Sequence, residues 1–309
     1  MTGTGRKRTA VSLASDKPGA LARVDYRPPG PYAQNLEVMS LSDLRHRVSA
    51  EHLHAPQRIE FHLLMAVTGG RCTHWVDFVA NDCRAGSWIV VRPGQVQRFD
   101  PRPRWDGRIL MFRSQFLLPL GSLARRADMA KSGGLEELPS HLALGSPEHR
   151  IALNCIEQMG ADCRLPGPDA ERQALLRHQL HSLLLRLRLV QREQVPPVVA
   201  SANSLRRFNR FREAVEADFA RLHQVRDYAG RLGYSEKSLT RSTVELAGVS
   251  AKAYLSQRIA LEAKRLLVHT SQSVSEIAIQ LGMDEPSNFV KFFKREVGST
   301  PTAFRQQQG

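Results

Sequence analysis

One structural unit occurs twice in the C-terminal third of this chain of 309 residues. Moving residues 274–305 back by 49 positions places Gly282 on Gly233. Beyond that glycine the offset becomes 50, and Lys291 then falls on Arg241. The second copy therefore has one extra residue after its glycine, where a turn can accept it. Such self-similarity indicates two copies of one supersecondary unit.

Each copy has the pattern of a short helix, a glycine turn and a second helix. In the downstream copy, Ser273 and Glu276 form a Ser-x-x-Glu capping box. Gly282 can adopt the left-handed conformation that ends a helix. Asp284 is expected to cap the second helix, and Pro286 fits its first turn, where no intrahelical N–H bond is lost. Three aromatic side chains predict the buried face of this helix: Phe289, Phe292 and Phe293.

This pattern is typical of a helix-turn-helix, whose second helix enters a DNA major groove. The alternative is two ordinary helical hairpins with solvated charges. A single copy would leave the two interpretations about equally supported. Two copies with matched turns and basic residues favour the helix-turn-helix.

Both copies and the segment between them resemble the signature of the AraC/XylS family of bacterial transcription regulators. The downstream copy matches at Ile277, Ala278, Leu281, Gly282, Phe289, Lys291, Phe293, Lys294, Gly298, Pro301 and Arg305. The upstream copy matches at Ala229, Leu232, Gly233, Ser235, Leu239, Arg241, Gly248 and Ser250. Departures from the family pattern occur at Thr243, Met283 and Val290, and they bear on base preference rather than on the fold.

The resemblance covers residues 200–305 and implies motifs at about residues 225–247 and 274–296, joined by a helix over about residues 253–269. Arginine and lysine bond to guanine edges, and asparagine bonds to adenine. We therefore expect base contacts from Lys237, Thr240, Arg241, Ser287, Asn288 and Lys291. Lys294 and Arg295 are expected to contact phosphate, which positions the protein without reading sequence.

The composition suits a polyanionic partner but does not locate it. Lysine and arginine number 44 against 30 acidic residues, which gives a formal charge of +14. The basic excess is spread over both halves of the chain, so charge alone does not identify the DNA site. Double-stranded DNA is the expected partner on the strength of the motifs.

Cysteine usage and hydropathy bear on the compartment. The four cysteines show no Cys-x-x-Cys spacing, which is typical of buried free thiols in a reducing cytoplasm. Cys72 and Cys83 could face each other on neighbouring strands. No apolar run approaches the ~18 residues of a membrane span. Residues 1–30 are expected to form a disordered basic tail.

Residues 31–146 carry a strand pattern. Apolar or β-rich runs at residues 36–41, 58–67, 88–91 and 109–112 alternate with turn signals such as Thr68-Gly69-Gly70. Short strands at this spacing predict a small barrel or jelly roll. The run from Gly70 to Phe78, followed by Gly86 and Pro93-Gly94, resembles the cupin-like sensor domain that often precedes this DNA-binding domain.

Such a barrel can hold a small effector or a catalytic metal. An effector site is expected from four residues placed by strand alternation: His74, Trp88, Arg92 and Gln97. A catalytic metal needs three or four converging ligands. The sequence offers only His74 and Asp77, with no His-x-His pair and with Gln97 where related sensors often have histidine. We therefore expect no metal, no cofactor and no enzyme activity.

Residues 147–194 are predicted to form a helical segment. In its second helix, apolar residues recur at alternating intervals of four and three residues. The seam consists of Leu176, Leu180, Leu183, Leu187 and Val190. It is typical of a short coiled coil or of a helix that covers the barrel. Because leucines also occur at positions 175, 184, 185 and 189, one face can lie on the barrel and another on a second chain. A homodimer is expected.

The sequence thus predicts an α+β chain of several domains. A cupin-like β-barrel with a helical dimerisation segment is followed by a linker at residues 195–203. An all-α double helix-turn-helix domain occupies residues 204–309, with Ser204 capping its first helix. The predicted function is a sequence-specific, effector-responsive transcription regulator that can contact RNA polymerase. Two alternatives are a metal-dependent cupin enzyme fused to a DNA-binding domain and an effector-independent DNA-binding protein.

Overall fold

The computed structural model describes residues 11–14, 22–26, 36–102, 104–117, 135, 138–194 and 201–308. The chain divides into two compact units, with the boundary between Pro196 and Pro197. Of the linker expected at residues 195–203, residues 195–200 lie outside the described residues. Within the described ranges, no helix is long and apolar enough to cross a membrane.

The N-terminal unit is built on strands, as the turn spacing predicts. Its described strands are β1 Val11–Ala14, β2 Ala22–Tyr26, β3 Leu36–Ser40, β4 Gln57–Ile59, β5 His62–Val76, β6 Val79–Arg84, β7 Ser87–Val91, β8 Val96–Arg98, β9 Trp105–Phe112 and β10 His141–Ala143. All pair antiparallel except β2 and β4, which are parallel. The expected cupin-like, β-rich fold of this unit is confirmed.

The long strand β5 connects the two sheets. Its first half pairs with β7 and β9, and its second half pairs with β6 and β8. The transition lies at a register shift between Val67 and Gly69. Gly70 there has φ of +75°, and a Cβ atom on it would overlap the backbone of Arg104 and Trp105. Glycine is therefore required where the strand bends from one sheet into the other.

The sheet of β3, β5, β7 and β9 is buried on both faces. Alternate side chains such as Met65 and Ile89 point into the barrel, where they join one apolar cluster. Their neighbours Leu64, Ala66 and Trp88 join a second cluster on the other face. Two-sided burial explains why these strands read as continuous apolar runs.

Two helices cover the outer face of this sheet: α3 Ser146–Asp162 and α4 Asp169–Gln194, which correspond to the helical segment expected from the sequence. The four leucines of the predicted seam are fully buried against α3 and the sheet, and Val190 packs beside them. The seam is therefore intrachain core, because its side chains are already covered within one chain. Their assignment to a dimer interface was wrong.

Four elements of the N-terminal unit differ from expectation. Helices α1 Leu41–Arg47 and α2 Ala50–His54 follow β3 and were not predicted. Strands β1 and β2 lie within residues 1–30, so a disordered tail does not describe those nine residues. The rest of that tail lies outside the described residues. Cys72 and Cys83 are directly opposite each other on β5 and β6, buried and free, as expected.

The C-terminal unit is all helical, as predicted. Its helices are α5 Ala202–Asp218, α6 Val225–Leu232, α7 Glu236–Ala247, α8 Ala251–His269, α9 Val274–Gln280, α10 Pro286–Val297 and α11 Pro301–Gln308. The cap of α5 is Ser201 rather than Ser204, because the Ser201 hydroxyl accepts the backbone N–H of Ser204 at 3.1 Å. The helix therefore begins earlier than the predicted domain start.

The pairs α6–α7 and α9–α10 are the two copies of the repeat. Ser273 and Glu276 form the predicted capping box at the start of α9. Helix α10 begins after Glu285 instead of Asp284, without a side-chain cap, and Pro286 is its first residue. Gly233 and Gly282 both end the first helix of their copy, with φ of +70° and +69°.

These two glycines differ in their surroundings. A Cβ atom on Gly233 would meet nothing within 4 Å, whereas one on Gly282 would overlap the carbonyl oxygen of Ala220. Ala220 lies between α5 and α6. The turn of the second motif therefore packs against the backbone that precedes the first motif.

This difference predicts unequal effects of the same substitution. Gly233→Ala should destabilise the C-terminal unit by about 1–2 kcal/mol, the cost of the left-handed conformation. Gly282→Ala should cost about 2–5 kcal/mol, because overlap adds to that strain. Urea unfolding followed by far-UV circular dichroism measures both losses. All three tryptophans lie in the N-terminal unit, so their fluorescence transition serves as the internal control. Equal losses for the two variants would contradict the close approach at Gly282.

Candidate functional site

Helix α7 presents a polar and basic face to solvent. Its N-terminus is fixed by Ser235, whose hydroxyl accepts the backbone N–H of Ser238. Leu239 is fully buried in the core of the first motif. Lys237 and Arg241 lie on the opposite side and are exposed, while Thr240 is half-buried at the edge of that face.

Helix α10 repeats this arrangement with a different set of side chains. Phe289 and Phe293 are fully buried, with ring centroids 5.9 Å apart, and they hold the helix against the unit. The predicted contact residues are all exposed: Ser287, Asn288, Lys291, Lys294 and Arg295. Arg295 also pairs with Glu296 at 2.8 Å and stacks over Phe292. It is therefore the most restrained cation of this face.

Helix α8 joins the two motifs and is anchored by buried charges. Glu262 accepts hydrogen bonds from Arg265 at 3.1 Å and from Arg258 at 3.3 Å. Arg258 also donates to Glu216 of α5. At 19 residues, α8 is about 28 Å long.

The second motif is fixed to α8 from its C-terminal side. Arg305 of α11 donates to the backbone carbonyls of Leu267 and Gln272, at 2.7 Å and 2.6 Å. These two carbonyls flank the turn between α8 and α9. Arg305 therefore holds the entrance of the second motif in place.

A cavity lies inside the N-terminal barrel. It contains about 360 Å³ of space between the atoms, a figure that includes open solvent, and only about 20 Å³ of it is open to the centre of a water-sized sphere. Eight apolar and two amide side chains line it: Val24, Leu44, Val48, Leu53, Gln57, Phe61, Leu63, Gln97, Phe99 and Met111. Of the four residues expected at an effector site, only Gln97 lines this cavity.

His74 lies directly behind the cavity wall. It is fully buried, and its ring meets that of Phe99 edge-on at 5.0 Å. Burial lowers the pKa of His74 to about 4, although the neighbouring Gln97 and Asp100 partly oppose this shift. The imidazole is therefore neutral near pH 7. The structure brings His74 and Gln97 together, as the strand alternation predicts.

Trp88 and Arg92 lie on the other face of the sheet. Trp88 is fully buried among the residues that contact α3 and α4, and its indole N–H donates to Nδ1 of His149 at 3.0 Å. Arg92 donates to the backbone carbonyls of Leu135 and Leu138. Because both side chains point away from the barrel interior, neither belongs to the cavity.

Asp77, which was weighed as a metal ligand, and His62 on β5 both have other contacts. The carboxylate of Asp77 accepts hydrogen bonds from the backbone N–H of Val96 and from the side-chain amide of Gln95. It therefore connects the turn between β5 and β6 to the start of β8. His62 stacks on Phe112 and lies 3.1 Å from the hydroxyl of Ser114. Across the described part of the chain, no three histidine, cysteine or acidic side chains come together as a metal site.

Sequence reasoning missed two features. It missed the cavity lining from α1, α2 and β4, because these elements are short and carry a weak periodic signal. It also missed Val244 on α7, which is 50% exposed beside Arg241. Val244 lies three residues after Arg241 and therefore on the same face of the helix. This spacing could have identified it from the sequence.

Two family models match the chain and account for both units. A model of the AraC-like ligand-binding domain matches residues 42–184. A model of a helix-turn-helix domain matches residues 228–307. The first spans most of the cavity lining and the first part of α4, and the second spans α7 to α10 and all but the last residue of α11.

Individual transcription regulators are also similar to this chain. The transcriptional activator RhaS of Citrobacter koseri is 23% identical over 260 residues, which cover 83% of this chain and 87% of that protein. RhaR of Klebsiella pneumoniae is 26% identical over 167 residues, which cover 54% of this chain and 58% of that protein.

Among solved structures, the C-terminal domain of the response regulator AraT from Geobacillus stearothermophilus is 26% identical, with a TM-score of 0.31. That match covers 33% of this chain and 84% of that one. ToxT from Vibrio cholerae is 10% identical, with a TM-score of 0.38 over 88% of this chain and 97% of that one. The two family models and the relatives give one conclusion: the chain belongs to the AraC/XylS family of transcription regulators, with an effector-binding domain followed by a helix-turn-helix DNA-binding domain.

Proposed function

We propose that the chain activates transcription by placing α7 and α10 in successive major grooves of double-stranded DNA. The observation that carries this proposal is the exposure of two polar and basic helix faces opposite the buried Leu239 and Phe289. Several relatives are named transcriptional activators, which supports activation. An activator acts through RNA polymerase, which is therefore a further proposed partner.

The arrangement of the motifs suits adjacent grooves. The turn of the major groove repeats about every 34 Å along one face of DNA. Helix α8, about 28 Å long, keeps the two recognition helices apart while its buried charges hold it rigid. One chain therefore presents two separate recognition helices.

We assign base reading to Lys237, Thr240, Arg241, Ser287, Asn288 and Lys291. Arg241 and Lys291 occupy equivalent positions, two residues after Leu239 and Phe289. On a helix, two residues turn by roughly 200°, so both cations point away from the core. Lys294 and Arg295 lie nearer the C-terminus of α10, and we assign them to phosphate.

This assignment predicts two kinds of loss. Arg241→Ala and Lys291→Ala should each cost about 1–3 kcal/mol at the operator and relax preference at one or two base pairs. Lys294→Ala should weaken all sequences alike and reduce the salt slope by about one unit. Titration on the operator and on its single-base variants, at several salt concentrations, measures both effects.

Arg186→Ala is the matched control, since it removes the same charge from α4 of the N-terminal unit. It should leave base preference unchanged. If Arg241→Ala and Lys291→Ala weaken every sequence equally, these residues contact phosphate and the assigned reading face is wrong.

We further propose that the barrel cavity binds a small effector, with Gln97 at its wall and His74 behind it. Trp88 and Arg92 are not part of this proposal. The AraC-like ligand-binding match supports it, because that model spans most of the cavity lining. A regulator without enzyme activity, acting in the cytoplasm, is the corresponding proposal for the whole chain, since the relatives are named as transcription regulators.

A homodimer through the outer face of α4 is also proposed. With the predicted seam buried, the apolar side chains left on this helix are Leu175, Leu185 and Leu189. Leu185 and Leu189 are 52% and 62% exposed and lie one turn apart. Exposed leucines grouped on one helix face favour a contact with a second copy.

Aspartate substitutions along α4 test this proposal against the core assignment. Leu185→Asp with Leu189→Asp should give a folded monomer, because charges then occupy the apolar interface. Leu180→Asp should instead unfold the N-terminal unit, since it buries an unpaired carboxylate. Light scattering and circular dichroism separate the two outcomes. A parent chain that is monomeric at all concentrations would refute the dimer.

A further inference from the structure

Helix α5 carries three arginines on one side of its first half. Arg206 and Arg210 are exposed, and Arg207 between them is half-buried. These three residues form the arginine cluster of the C-terminal unit. Like charges three and four residues apart on a helix repel each other and destabilise it. The cluster is therefore unfavourable unless an anion offsets its charge.

Within residues 201–308, no carboxylate pairs with the arginine cluster. Glu213 lies three residues after Arg210 but forms no ion pair with it. Glu216 bonds instead to an arginine of α8, and Asp218 bonds to an arginine of α6. The cluster is therefore free to bind an anion from another molecule.

Two arginines of the cluster pack on one tyrosine ring. The guanidinium carbons of Arg207 and Arg210 each lie 5.5 Å from the ring centroid of Tyr234. Arg210 also donates to the hydroxyl of Tyr234 at 3.2 Å. An aromatic ring attracts cations through its negative faces. The ring therefore holds both guanidiniums in place without neutralising their charge.

The arginine cluster borders the reading face of α7. Tyr234 lies in the turn just before this helix. Arg207 donates to the backbone carbonyl of Ser238 at 3.3 Å and to the hydroxyl of Ser242 at 3.0 Å. Successive residues on a helix are about 100° apart, so these serines lie beside the residues assigned to bases. Helix α5 therefore flanks the reading face, where the DNA backbone borders the major groove.

Among the described residues, the second motif has no matching cluster. Helix α8 precedes it as α5 precedes the first motif, but Arg258 and Arg265 of α8 both donate to Glu262. At an offset of 50, Asp284 takes the place of Tyr234. Repetition of the fold therefore does not account for the cluster, which is specific to the first motif.

We propose that Arg210 binds a backbone phosphate beside the DNA segment read by α7, and that Tyr234 positions its guanidinium for this contact. The proposal rests on the proposed function, and it identifies a backbone contact made by the first motif alone. The phosphate offsets the repulsion within the arginine cluster, and a planar guanidinium bonds to phosphate through two N–H groups. Because phosphate carries no sequence information, the contact sets the register of α7 without reading bases.

The salt dependence of DNA binding tests the contact. The purified full-length chain is titrated on a duplex that it enriches from a random-sequence pool. Arg210→Ala should make the slope of log K against log salt concentration about 0.9 units less steep, the value for one lost phosphate. Base preference should not change. Arg212→Ala is the matched control, since it removes the same charge from α5 at a position roughly 200° round the helix, and it should leave the slope unchanged.

Neutral methylphosphonate linkages, placed one at a time along this duplex, locate the phosphate. One linkage beside the segment read by α7 should weaken binding of the wild-type chain. The same linkage should have no further effect on Arg210→Ala. If every linkage weakens the two proteins by the same factor, Arg210 contacts no phosphate and the proposal fails.

Two substitutions of Tyr234 separate positioning from general structure. Tyr234→Phe keeps the ring and should retain most of the wild-type slope. Tyr234→Leu removes the ring and should lose most of the same unit as Arg210→Ala. Circular dichroism verifies that both variants are folded. Equal slopes for the two folded variants would overturn the positioning role.

The outcomes distinguish this proposal from the proposed function. If the wild-type chain enriches duplexes of defined sequence but Arg210→Ala leaves the salt slope unchanged, the phosphate contact is refuted and sequence-specific DNA binding stands. If the wild-type chain enriches no duplex, the proposed function fails and the phosphate contact fails with it.

Discussion

The N-terminal unit depends on one constraint: strand β5 belongs to two sheets and is buried on both faces in its first half. Its bend at Gly69 and Gly70 closes the barrel, and a side chain at Gly70 would collide with the neighbouring backbone. Once that bend is fixed, alternation decides which residues face inward. Met65 and Ile89 fill the interior, while Leu64 and Trp88 require a cover on the outside. Helices α3 and α4 supply this cover, and α4 must therefore bury its seam leucines within the chain.

The same constraint explains which features of this unit could be predicted from the sequence and which could not. Period-two alternation groups Trp88 with Arg92 and separates both from Ile89. It does not tell which face is interior when both are apolar, so Trp88 and Arg92 were assigned to the wrong side. The spacing of Leu176, Leu180, Leu183 and Leu187 is common to a coiled coil and to a helix packed on its own domain. Only the three-dimensional position of α3 and the sheet separates these alternatives.

The C-terminal unit was more predictable because its signals are local. A capping box at Ser273, a left-handed glycine at Gly282 and aromatic residues at helical spacing in α10 each specify structure within a few residues. Repetition at offsets of 49 and 50 residues then made the two motifs visible without any knowledge of tertiary contacts. The links between the motifs were not visible, because the Arg258–Glu216 and Arg305 contacts and the packing of Gly282 on Ala220 join residues distant in sequence.

Repetition of the fold does not make the two reading faces equivalent. At an offset of 50, Lys237 corresponds to Ser287, Ser238 to Asn288, and Val244 to Lys294. The face on α7 therefore combines two cations with a half-exposed valine, which can contact a thymine methyl group but no phosphate. The face on α10 combines two small polar side chains with two lysines. Asparagine, a residue type that can bond to adenine, occurs only in the second set. Since each chain carries one copy of each face, the proposed assignment implies that the DNA recognised by one chain consists of two unlike segments. Under that assignment, the DNA sequence as well as any partner chain would set the orientation of the chain on DNA.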